Sequence, residues 1–146
     1  MAKSHVEALY WYKKAANQGH AEAQNNLGTM YEDGLGVVED NVEAAKWYKK
    51  AASQGFKDAQ CNLGLMYYEG RGVAQNYVEA ARWYRQAANK GDEVAQRNLG
   101  VLYQQGRGVA QSDKEAVRWF NKAAEQGDPE AKLYFERLLK EGDLSD

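Results

Sequence analysis

The sequence predicts an all-α fold, a right-handed α/α superhelix (solenoid) of antiparallel helix pairs with a 36-residue repeat. Two observations predict it: a set of residues that returns at one spacing, and apolar residues at helical intervals within every copy. Gly19, Gly55, Gly91 and Gly127 stand 36 residues apart, and Trp11, Trp47, Trp83 and Trp119 keep the same step. So do Ala15-Ala16, Ala51-Ala52, Ala87-Ala88 and Ala123-Ala124, then Leu27-Gly28, Leu63-Gly64 and Leu99-Gly100, and Tyr31, Tyr67 and Tyr103. Self-similarity at a period of this size marks stacked supersecondary units.

Each period holds two helices. In the second copy Ala44, Trp47, Tyr48, Ala51 and Ala52 fall at i, i+3, i+4, i+7 and i+8, one face of a 3.6-residue helix. Ala59, Leu63, Met66 and Tyr67 fall at i, i+4, i+7 and i+8 and give the other helix. Gly55 lies between them and supplies a left-handed C-cap. The Trp helices open on Ser4, Asp40, Asn76 and Ser112, each with Glu three places on (Glu7, Glu43, Glu79, Glu115), the capping-box spacing. Asp128-Pro129 marks a further start, with Pro at the first helical position. Eight helices of roughly three to four turns are expected. A lone hairpin cannot bury its apolar face, so neighbours bury it together. The Trp residues belong to that core, with one member of each Trp-Tyr or Trp-Phe pair partly exposed. A carbohydrate-binding aromatic stripe is the alternative for them.

Composition narrows the function. The chain has 146 residues, enough for one domain, with 44% hydrophobic and 27% charged residues. A net charge of −2 and a pI near 5.8 speak against nucleic acid as the partner. No apolar run approaches the ~20 residues that span a bilayer, so membrane insertion is not expected. No signal peptide is visible, and the compartment is left open.

Gly34-Leu35-Gly36, Gly70-Arg71-Gly72 and Gly106-Arg107-Gly108 look like the opening of a dinucleotide fingerprint. That fingerprint requires a preceding strand, which the pattern does not provide, so loop geometry with positive φ is the better reading. No cofactor or metal is expected. His5 and His20 lack a second ligand at helical spacing, and Cys61 is the only cysteine. Ser-x-x-Lys, Gly-x-Ser-x-Gly and Walker motifs do not occur.

Ala-x-Ala-Gln-x-x-Leu-Gly-x-x-Tyr-x-x-Gly-x-Gly-Val, at Ala21 to Val37, followed by Glu-Ala-x-x-Trp-Tyr-x-x-Ala-Ala-x-x-Gly, at Glu43 to Gly55, resembles the Sel-one-like repeat (SLR) family. Lys57 and Glu93 replace the opening alanine in later copies. The resemblance covers nearly the whole chain and implies a tetratricopeptide-like, helical-hairpin solenoid. The Leu-Gly-x-x-Tyr helix is then the first of each unit and the Trp helix the second. The chain divides into an orphan second helix at 4–18, full repeats at 20–54, 56–90 and 92–126, and a C-terminal capping helix at 128–141. Gly28, Gly64 and Gly100 let the paired helix come close, and Glu136 replaces them in the last helix. The N-terminal helix shows no capping adaptation, which points to self-association through that end or to a piece of a longer array.

The resemblance implies a non-enzymatic scaffold or adaptor that binds a protein or peptide on its concave face, lined by the first helices. Disulfide-linked relatives that bind or hydrolyse penicillins carry a cysteine pair in each repeat, which this chain lacks, so a β-lactam enzyme is the weaker alternative. An isolated or engineered repeat fragment without its own ligand is the other. Groove positions should vary while the core repeats. The varying columns are Asn25/Cys61/Arg97/Leu133, Thr29/Leu65/Val101/Arg137, Glu32/Tyr68/Gln104/Lys140 and Glu22/Asp58/Val94/Glu130. The constant column Asn26/Asn62/Asn98 either binds a peptide backbone or joins neighbouring helices. Four first helices at ~9–10 Å spacing would make a groove of roughly 30 Å. That length takes an extended peptide of about nine residues, acidic at one end, apolar in the middle and basic at the other.

Overall fold

The computed structural model describes residues 2–142, and all regular structure among them is helical. The helices are α1 (Ala2–Asn17), α2 (Ala21–Asp33), α3 (Asn41–Ser53), α4 (Lys57–Glu69), α5 (Tyr77–Asn89), α6 (Glu93–Gln105), α7 (Asp113–Glu125) and α8 (Pro129–Glu141). They fall into two compact units that meet in sequence between Gln75 and Asn76. The first holds α1–α4 and the second α5–α8. Within each, every helix packs on its successor in the chain, the order of a helix-pair solenoid.

Local chemistry sets the helix ends. The Asp40 carboxylate accepts from the backbone N–H of Val42 and Glu43, the Asn76 side chain from that of Glu79, and the Ser112 hydroxyl from that of Glu115. The other half of the capping box does not form at two of these. The Asp40 and Ser112 N–H groups donate instead to the carbonyls of Tyr31 and Tyr103, tying each second helix back to its first. Glu79 and Glu115 turn outward to Arg82 and Arg118. Ser4 does not cap α1. The helix opens at Ala2, because Ala and Lys ahead of the serine are themselves good helix formers.

Second helices end in a Schellman motif. Phe56 N–H donates to Ala51 O and Gly55 N–H to Ala52 O, which requires the positive φ of 89° at Gly55. The Gly-x-Gly loops use positive φ at both glycines. Their second glycine has a packing reason as well: a Cβ on Gly36 would lie 2.8 Å from the carbonyl oxygen of His5, where the loop presses on α1.

In α3, α5 and α7 the fully buried aromatic is the residue after the Trp, namely Tyr48, Tyr84 and Phe120, while Tyr12 in α1 is half-buried. The Trp residues divide. Trp83 and Trp119 are buried, Trp47 is half-buried, and Trp11 is 60% exposed. The expectation that one member of each pair is partly exposed fits Trp47 beside buried Tyr48, but both members are buried at Trp83-Tyr84 and Trp119-Phe120, and Trp11 lies at the margin of the core. Each of these indoles has a cation over it, Lys14 at 5.6 Å for Trp11, Lys50 at 4.6 Å for Trp47, Arg82 at 4.6 Å for Trp83 and Lys122 at 4.9 Å for Trp119. A Cβ on Gly28 would meet the Tyr48 ring at 2.7 Å, and one on Gly100 the Phe120 ring at 2.7 Å. The glycine of Leu-Gly is thus the seat of the neighbouring ring. In α8 the matching residue, Glu136, is exposed.

Candidate functional site

In the first unit the varying columns sit on α2 and α4. Asn25 and Cys61 are buried. Asn62 Nδ2 donates to Asn25 Oδ1 at 3.1 Å, so this pair of amides joins the two first helices. Both buried residues leave the proposed contact surface, because a partner cannot reach them. Asn26 remains half-buried at the surface of α2.

Thr29 and Glu32 point toward α3. The Thr29 and Tyr48 hydroxyls lie 3.0 Å apart, and Tyr48 donates to Glu32 Oε1 at 2.6 Å. Glu32 Oε2 accepts from Arg71 Nη1 at 2.7 Å, and Arg71 Nε reaches Glu69 Oε1 at 2.7 Å. A continuous polar chain therefore runs Thr29–Tyr48–Glu32–Arg71–Glu69, closing the loop after α4 onto α2. Burial, and then the hydrogen bond to Glu32, hold the Tyr48 phenol well above the ordinary tyrosine range, so it stays a donor. Burial works against the Arg71 cation, but Glu32 and Glu69 outweigh it and raise its pKa. On α4 the same two columns carry Leu65 and Tyr68, both half-buried and one turn apart.

In the second unit the columns sit on α6 and α8. Arg97 donates to Asp128 Oδ2 at 2.7 Å and stands 3.6 Å from Glu130. Asp128 is 3% exposed and also caps α8 through the N–H groups of Glu130 and Ala131. Arg97 thus fastens α6 to the start of α8. Val101 packs on the cluster of Ala116, Phe120 and Leu138. Asn98 and Gln104 are half-buried, and Arg137 is exposed.

Sequence reasoning passed over one set of residues. Gln24, Gln60 and Gln96 are buried, and each Nε2 donates to a carbonyl in the last turn of the preceding second helix: Ala16, Ala52 and Ala88. Gln54 then bridges Gly19 O and Gln24 Oε1, and Gln126 does the same for Gly91 O and Gln96 Oε1. The signal was present: a glutamine returning at the repeat period beside core alanines, where a polar group must be hydrogen-bonded.

Among the described residues no three His, Cys, Asp or Glu side chains are placed to hold a metal ion, and no helix is long and apolar enough to cross a membrane. What the surface offers is recognition chemistry: amides, a phenol, aliphatic side chains and charges on rigid helices.

The Sel1 repeat family model matches residues 1–20, 21–56, 57–92 and 94–128. No curated protein sequence matches the chain. Among solved structures, a protective antigen present in uropathogenic Escherichia coli strains, with an SLR fold, is similar at 44% identity and a TM-score of 0.82. That match covers 84% of this chain and 26% of the antigen. A Sel1 repeat protein from Oxalobacter formigenes is similar at 46% identity and a TM-score of 0.84, over 89% of this chain and 54% of that one. Helicobacter pylori cysteine rich protein B shares the fold, with a TM-score of 0.70 at 24% identity, over 90% of this chain and 94% of that one. The chain thus spans about a quarter of the antigen and about half of the Oxalobacter protein. Sel1 repeat proteins are generally non-enzymatic, protein-interaction scaffolds. The chain belongs to the Sel1 repeat family.

Proposed function

We propose that the chain is a non-enzymatic scaffold that docks a peptide or partner protein on the surface of its first helices. The observation that supports this reading best is the contrast between α2 and α4. Where α2 carries the polar Thr29 and Glu32, the same columns on α4 carry the aliphatic Leu65 and the aromatic Tyr68, both half-buried and one turn apart. An aliphatic and an aromatic side chain at i and i+3 form the kind of anchor around which interfaces concentrate their binding energy. In the first unit, Asn26 on α2 adds a half-buried amide; in the second unit, Asn98, Val101, Gln104 and Arg137 are the corresponding candidate positions.

The test is capture of partners from a lysate of the source cells on the immobilised chain, beside a Leu65→Asp, Tyr68→Ala variant of unchanged helicity. A partner held by the native chain and lost by the variant supports the reading. A partner held equally by both removes the surface from α4, and failure to capture any partner contradicts the scaffold role of this chain by itself. Arg97 does not belong in that variant, since its loss would strip the buried Asp128 of its cation.

A further inference from the structure

One exposed face of α3 carries cations that no carboxylate neutralises. Lys46, Lys49 and Lys50 fall at i, i+3 and i+4 and are all exposed. Among the described residues none of the three is in an ion pair, and Lys50 lies over the Trp47 ring at 4.6 Å, which leaves its charge unneutralised. The one acid of that helix, Glu43, lies at its start.

Three of the matching positions in the second unit carry engaged arginines instead. Arg82 is held by Glu79 at 2.9 Å, Arg85 donates to the Tyr103 hydroxyl at 2.6 Å, and Arg118 is held by Glu115 at 2.7 Å. The columns of Lys46 and Lys49 therefore carry engaged arginines at Arg82, Arg85 and Arg118, whereas the Lys50 column keeps a lysine over an indole at Lys122, so what sets α3 apart is the unpaired lysines Lys46 and Lys49.

Beside these lysines is a recess of about 230 Å³, with Val42, Ala45, Leu63, Tyr67 and Val73 among its lining together with Lys46 and Lys49. A cavity of roughly 150 Å³ already holds a benzene ring, so this one has room for a single apolar side chain. A second, shallower depression is lined by Lys46, Lys49, Lys50 and Ser53, so the apolar recess and the cationic patch share two lysines.

We propose that this face of α3 docks an acidic peptide segment. An aliphatic side chain of the segment enters the recess, and flanking carboxylates pair with Lys46, Lys49 and Lys50. The geometry favours a peptide over an anionic membrane, because a recess receives a side chain, whereas a bilayer is engaged by side chains that protrude. It favours a peptide over nucleic acid, because the cations are confined to three lysines on one helix and the chain as a whole carries a net charge of −2, whereas a nucleic-acid surface is basic over a wide patch.

The probe is a fluorescein-labelled, acetylated and amidated peptide with one leucine between two pairs of glutamates, followed by anisotropy at low and moderate salt. Saturable binding is expected, weakening with salt. It should fall at least tenfold in Lys46→Glu, Lys49→Glu, Lys50→Glu, and at least threefold when the peptide leucine is replaced by glycine. The corresponding triple Lys→Gln variant, which adds no new charge, should also lose most of the binding. Equal binding of leucine and glycine peptides, or binding retained by both triple variants, would overturn the proposal. So would absence of binding, or tighter binding to phosphatidylserine vesicles or to oligothymidine than to the peptide.

Discussion

Two helix pairs of this chain, α2–α3 and α6–α7, occupy the same place in the repeat and differ in chemistry. Both seat an aromatic ring on a glycine, Tyr48 on Gly28 and Phe120 on Gly100. Both carry the same glutamine bridge, through Gln54 and Gln126. Around the ring they part. Tyr48 has a hydroxyl, and α2 answers it with Thr29 and Glu32. Phe120 has none, and α6 places Val101 against the cluster that contains it. The starts of the first helices differ too. His20 and Phe56 make no side-chain cap in the first unit, whereas Asp92 and Asp128 cap α6 and α8 in the second. The lesson is that two sets of positions are superimposed on one period. Glycine, glutamine and alanine columns hold the pair together. The columns beside them change in compensated groups, as Tyr48 does with Thr29 and Glu32 and Phe120 with Val101.

The largest effect expected from this comparison is at the ring. Phe120→Ala should cost about 4 kcal/mol, while Trp47→Ala, at the half-buried margin, should cost about 2 kcal/mol. Urea unfolding of the two variants would show it, and equal costs would return Trp47 to the core. Next is the ion pair that the second unit alone possesses. Arg97→Met should destabilise by about 3 kcal/mol, because it leaves the Asp128 carboxylate buried without its cation. The thermal midpoint would report this, and a change within a few tenths would mean that water replaces the guanidinium.

Exchanging the rings is the sharper test. Phe120→Tyr should cost about 2 kcal/mol, since its hydroxyl would face the position of Val101 rather than a threonine. Tyr48→Phe should cost about 1 kcal/mol, through the lost bond to Glu32. Adding Val101→Thr and Gln104→Glu to Phe120→Tyr should recover at least half of the loss. Strict additivity in that cycle would deny that the columns change together. The smallest effect is at the caps: His20→Asp should stabilise by about 1 kcal/mol by giving α2 the cap that α6 already has. A thermal midpoint that does not rise would show that the α2 start is satisfied in another way.

The fold was legible because its determinants are local or periodic. The caps at Asp40, Asn76 and Ser112, the Schellman glycine at Gly55 and the seat glycines all read directly from spacing. The candidate surface was less legible, because it depends on partners far away in the chain. Arg97 looked like one end of a charged groove, yet its partner Asp128 lies 31 residues on. Asn25 varied like a surface residue but is buried against Asn62, 37 residues away. Glu32 looked like an acidic contact until Arg71 closed on it. The order of burial within each Trp-Tyr pair could not be read from periodicity either, since adjacent residues on a helix differ by 100° and both fall near the apolar stripe.

The central claim is the proposal that α4 docks a partner through Leu65 and Tyr68. A photo-crosslinking amino acid placed at Tyr68, and separately at Val78, which is 64% exposed on the second helix α5, tests it most directly in source-cell lysate. The account predicts a crosslinked partner from position 68 and none from position 78. A partner crosslinked from position 78 alone would contradict it.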